Sequence, residues 1–141
     1  MTALYTARAT ATSGRNGHVE SSDGLLSLEL GYPKELGGNG LATNPEQMFA
    51  GGYAACFSNA ILFVAKQQKQ ELSAAPVAAE VGLHQGASGF ALSVKLAVTL
   101  DLPRDTAQAL VTAAHQVCPY SNAVRGNIEV QVTVNGEPLA G

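Results

Sequence analysis

The chain has 141 residues, of which 46% are hydrophobic and only 13% charged, and its net charge is −3. That length suits a single domain spanning residues 1–141, and with no basic run a nucleic acid or an anionic membrane is not expected as a partner. The charged fraction is well below the usual quarter or so, so part of the surface is expected to be covered in a homo-oligomer.

Met1 to Thr12 has no apolar core of signal-peptide length. The longest uninterrupted apolar run, Ala60 to Ala65, is too short to span a bilayer. A soluble, cytoplasmic protein is expected. Cys56 and Cys118 form no CxxC unit, and His18, His84 and His115 are scattered, so no metal site is expected.

In chain order, Leu4 to Ser13 is Thr-rich and alternates roughly, as a strand does. Gly14-Arg15-Asn16-Gly17 reads as a turn, with His18 to Ser22 as the returning strand. After Asp23-Gly24, Leu25 to Leu30 reads as a third strand, which makes an antiparallel meander. Gly31 to Thr43 holds four glycines and a proline and reads as a loop.

The stretch Asn44 to Lys66 (NPEQMFAGGYAACFSNAILFVAK) organises the rest. Asn44 suits an N-cap, Pro45 the first helical position, and Glu46 the positive end of the dipole. The interior is apolar and small, as in a helix covered on both sides. Cys56 sits mid-helix. Gly52 and Ala60, four residues to either side, leave room beside the sulfur, and Phe49, Tyr53 and Phe63 are placed to wall that space as a substrate-binding surface. The Gly51-Gly52 pair points to a kink or a close neighbour.

Val77 to Gln85 and Phe90 to Leu102 read as strands around a Gly86–Gly89 turn. Pro103 to Gln116 reads as a second helix. Cys118-Pro119 then starts a short segment closed by Gly126, and Ile128 to Val134 alternates as a last strand. The layout is α+β, with antiparallel sheets packed on two main helices.

Two thiols compete as the reactive group. Cys56 lies too far from a helix end to use the dipole and needs a cation. Cys118, as N-cap of a helix starting at Pro119, has backbone N–H groups at hand. The residues leave this choice open. Arg15, at a turn tip, is the best cation, and an Arg15–Glu46 pair would hold its guanidinium ready for a thiolate. Ten residues of helix, about 15 Å, separate Glu46 from Cys56. One solution takes the arginine and the cysteine from different subunits, and a helix kink is the other. Arg125 reads as a partner for a carboxylate or a helix end, and His115 as a surface residue.

The segments NPEQMFAGGYAACF and VCPYSNAVRGNIEV closely resemble the organic hydroperoxide resistance proteins, the Ohr branch of the Ohr/OsmC family. The likeness runs over nearly the whole chain and departs at Gly51, where an alanine is common. It implies an OsmC-like fold, an intertwined homodimer with sites at the interface, and a thiol peroxidase. In that reading Cys56 is the peroxidatic and Cys118 the resolving cysteine, joined in turn by a disulfide, while Arg15 and Glu46 activate the thiolate. No bound cofactor is implied. The reductant is a dihydrolipoyl dithiol on a lipoylated protein, and the substrates are alkyl or fatty-acid hydroperoxides. The alternatives are an OsmC-type peroxidase of broader specificity and a non-catalytic binder of apolar ligands.

Overall fold

A computed structural model describes residues 1–140. The chain forms two compact units, Met1–Met48 and Phe49 onward.

The first unit contains the meander. Strands β1 (Ala9–Thr12), β2 (His18–Ser21) and β3 (Ser27–Glu29) pair antiparallel in the order β1-β2-β3. They are shorter than their sequence signals, and all of β1 is exposed. The β1–β2 turn is a 3-10 turn at Gly14–Asn16, and it carries Arg15. Gly17 closes it so tightly that a Cβ there would lie 1.4 Å from the Thr12 carbonyl oxygen. The Gly31–Thr43 loop contains one further 3-10 turn, Lys34–Leu36.

Helix α1 (Pro45–Gln67) begins in the first unit and runs on into the second. Its start follows the sequence signal: the Gln47 N–H donates to Asn44 Oδ1 at 2.9 Å. By length and composition alone α1 is apolar enough to cross a membrane. It instead buries Tyr53, Phe57, Ala60, Ile61, Val64 and Ala65 in the core of the second unit. Each large side chain there contributes about 1.5–3 kcal/mol by leaving water.

The second unit continues with β4 (Val77–Gly86) and β5 (Gly89–Val98), an antiparallel hairpin turning through Ala87-Ser88. Helices α2 (Arg104–Val117) and α3 (Pro119–Val124) follow, and then β6 (Val130–Val134) and β7 (Glu137–Pro138). The sheet order is β4-β5-β6-β7. It is mixed, not wholly antiparallel as expected, because β6 pairs parallel with β5. The reason is the connection: a chain that crosses over through two helices returns to the same sheet in the same direction. Val94, Leu96 and Val98 of β5 and Val132 and Val134 of β6 pack with Leu110, Val111 and Ala114 of α2 in the core.

Replacing the cap, Asn44→Ala, is expected to lower stability by about 1 kcal/mol. The check is the urea unfolding midpoint, which should fall without a change in slope.

Candidate functional site

The first unit supplies an ion pair. Arg15, on its 3-10 turn, grips Glu46 in the first turn of α1 with two bonds: Nη1 donates to Oε1 at 2.7 Å and Nη2 to Oε2 at 2.9 Å. The bidentate geometry fixes the plane of the guanidinium. Each group tunes the other. The Arg15 bond holds the Glu46 carboxyl below its ordinary range, and Glu46 raises Arg15 further. The pair expected from sequence is therefore formed.

The second unit brings the two cysteines together, although 62 positions separate them. Both are free thiols. Cys56 is partly accessible on α1, whereas Cys118 is fully buried. Cys118 is at once the C-cap of α2 and the N-cap of α3, with Pro119 at the first helical position. Cys118 and the backbone N–H of Tyr120 are the groups that bear on the Cys56 thiol. The amides at the start of α3 were expected to serve Cys118, yet the Tyr120 N–H acts on Cys56. Burial pushes the Cys56 thiol up, the Tyr120 N–H opposes this, and Cys118 adds to the rise. None of these influences is a cation.

Aromatic side chains share the packed cluster of the two cysteines. The Phe49 ring meets Tyr53 at 6.4 Å and Tyr120 at 6.2 Å, both edge-on. Tyr53 lies 5.6 Å from Tyr120 and 6.3 Å from Phe57. Of the three expected wall residues, Phe49 and Tyr53 are in this cluster. Phe63 is not; it is 53% exposed. The space expected above Gly52 is occupied: a Cβ at Gly52 would lie 2.6 Å from the Tyr120 hydroxyl oxygen. Gly52 thus meets a close neighbour, while Gly51 has nothing near it.

Sequence reasoning missed Tyr120, Phe57, Ser121 and His115. The Tyr53 hydroxyl is 2.7 Å from Ser121 Oγ, which is 2.8 Å from His115 Nδ1. His115 is half-buried, with its Nδ1 turned to Ser121; the six-residue spacing between them spans a helix break and matches no helical period. Arg125 serves a helix end, donating to the His115 carbonyl at 2.6 Å and to Asn122. Outside the cluster, His18 binds Glu29 and Glu20, and His84 binds Ser93. Among the described residues no group of His, Cys, Asp and Glu is arranged to hold a metal.

The OsmC-like protein family matches residues 37–133. This chain belongs to that family. Within it the chain stands on the Ohr branch. It is 50% identical over 134 residues to the organic hydroperoxide resistance protein of Xanthomonas axonopodis pv. citri, covering 93% of this chain and 94% of that one. With OhrB of Bacillus subtilis it shares 47% over 133 residues, covering 92% and 97%. A crystal structure from Vibrio cholerae, described as an organic hydroperoxide resistance protein with captopril in one of its active sites, superposes with a TM-score of 0.97 at 61% identity, covering 99% and 97%. The solved OhrB structure gives 0.85 at 45%, covering 94% and 100%.

Two predictions follow from this geometry. Glu46 is depressed in the folded state, so its contribution is present above the unfolded carboxyl value, about 4.3, and is lost as pH falls through the folded one. Glu46→Gln is expected to cost about 1 kcal/mol at pH 7, allowing for solvent screening. The gap from the unsubstituted protein should close in acid below about pH 4, as read by urea unfolding at several pH values. In the second unit, Gly52→Ala should push the Tyr120 ring away and loosen its N–H from Cys56. The expected readout is a Cys56 alkylation rate that changes at constant pH while Cys118 stays protected.

Proposed function

We propose that the protein is a cysteine-based peroxidase of the cytoplasm that reduces organic hydroperoxides to alcohols and protects against organic peroxide stress. The observation that carries this reading is the contact between a partly accessible thiol and a sealed one. Cys56 is the sulfur a substrate can reach. As a thiolate it attacks one peroxide oxygen, the O–O bond breaks, and the alkoxide leaves and takes a proton as the alcohol. Cys56 is then a sulfenic acid. Cys118 attacks its sulfur, the S–O bond breaks, and a Cys56–Cys118 disulfide and water result. A dithiol, a dihydrolipoyl group on a lipoylated protein, restores the thiols by exchange.

The cycle needs Cys56 ionised, and its own surroundings push the thiol the other way. We assign the missing cation to Arg15, held by Glu46, and draw it from the partner in an intertwined homodimer. The apolar surface supports assembly: Leu25 is 88% exposed, Leu41 86%, Phe90 71% and Phe63 53%. Burying such side chains would contribute to association. Phe49 and Tyr53 line the substrate side, with Phe63 joining them on assembly. An apolar lining favours alkyl and fatty-acid chains over hydrogen peroxide, since each buried CH₂ contributes about 0.8 kcal/mol.

Stopped-flow oxidation by cumene hydroperoxide is the test. Cys56→Ser should abolish turnover. Cys118→Ser should consume a single equivalent of peroxide and halt at the sulfenic acid. Arg15→Ala should slow the first step by about a hundredfold or more and move the thiolate titration upward by more than about one unit. Peroxide that is not consumed and yields no disulfide in the unsubstituted protein would instead favour a ligand-binding role, and equal rates with hydrogen peroxide an OsmC-type enzyme of broader specificity.

A further inference from the structure

Behind the sulfur pair runs a chain of polar groups that the cycle above leaves unused. Tyr53 lies on α1, three residues before Cys56, and is fully buried. Its hydroxyl meets Ser121 Oγ on α3, and the same oxygen meets His115 Nδ1 on α2. Ser121 is 1% exposed. Tyr53 stands one turn before Cys56 on α1, and its partner Ser121 stands one turn after Cys118 on α3, so this end of the chain lies beside both cysteines. At the other end His115 borders a surface depression shared with Gln116 and Glu129. The chain therefore runs from the sulfurs to water.

Its direction is set by a single proton. Ser121 has one hydrogen to donate. With His115 Nδ1 unprotonated, Ser121 donates to it, Tyr53 donates to Ser121, and the Tyr53 oxygen is left with a free lone pair. With Nδ1 protonated every bond reverses, and the Tyr53 O–H is released to donate elsewhere. What the buried end offers thus depends on the occupancy of the outer end.

We propose that Tyr53, Ser121 and His115 form a proton wire for the disulfide-forming step, a role that rests on the peroxidase reading. The Cys118 thiol must lose a proton to attack, and the hydroxide leaving Cys56 must gain one. The Cys118 proton passes to Tyr53 oxygen as the Tyr53 proton moves to Ser121 and the Ser121 proton to His115 Nδ1. The Cys118 sulfur then forms the S–S bond as the Cys56 S–O bond breaks. The wire runs back, and the proton on His115 returns through Ser121 and Tyr53 to the hydroxide as water. No electrons enter or leave in this step.

The surroundings keep His115 ready to accept. Burial lowers it below the usual histidine value, and the Arg125 guanidinium adds to this. The charged groups about it are Arg125, bonded to its backbone carbonyl, and Glu129 across the depression. On α1 it meets the uncharged Phe57 ring at 5.9 Å.

The test uses the full-length protein, one equivalent of cumene hydroperoxide and two clocks: peroxide consumption for the first step, and loss of dione-trappable sulfenic acid for the second. Ser121→Ala cuts the wire. His115→Gln keeps a hydrogen-bonding side chain at that place but takes up no proton. Both should hold the first step within about twofold and slow the second by about a hundredfold, the lower end for a lost acid–base group. In the unsubstituted protein the second step should weaken as pH falls through a His115 inflection below about 6.5, and His115→Gln should lack that inflection. A second step in His115→Gln with unchanged rate or the inflection intact overturns the wire while leaving the peroxidase standing. An unsubstituted protein that forms no disulfide overturns both. Should Ser121→Ala fail to fold, the His115→Gln profile decides alone.

Discussion

One neighbourhood organises the second unit: Cys56 on α1 under the influence of Cys118 and of the Tyr120 N–H at the start of α3. It exists because α1 and α3 meet closely. Gly52 permits the approach, since any side chain there would strike Tyr120. The buried Tyr53–Ser121 bond ties the same two helices. Cys118 lies where α2 ends and α3 begins, so its position is fixed by two helix boundaries together. Two cysteines 62 residues apart in sequence are thus positioned by the packing of α1 on α3 and by the Tyr53–Ser121 bond.

The electrostatics divide in a complementary way. The cysteine cluster is apolar and makes ionisation costly, while the Arg15–Glu46 pair is a preformed, oriented cation with its own counter-charge. Burial without a cation gives an inert thiol, and a cation without burial gives a solvated one. The proposed dimer joins these two halves and covers the exposed leucines and phenylalanines with the same act.

Much of this was legible in the sequence. Asn44-Pro45 marked the start of α1, and the glycines and asparagine around Arg15 marked its turn. The Arg15–Glu46 pair was readable because both residues had a local reason to be where they are. The direction of β6 was not, because strand alternation is blind to whether a neighbour runs parallel. The roles of Tyr120, Ser121 and His115 were hidden for a similar reason. They follow from where α3 lands on α1, a matter of tertiary packing, and the α2–α3 break removes any periodic spacing between them. The resemblance of the two cysteine motifs supplied the choice of thiol that local physics left open; Cys56 is partly accessible and Cys118 buried.

The most direct measurement is peptide mapping by mass spectrometry after one equivalent of an organic hydroperoxide, without reductant. The account predicts a single new link, Cys56 to Cys118 within one chain, reversed by a dihydrolipoyl dithiol. Two cysteines that stay free, or a disulfide formed only between chains, would contradict it.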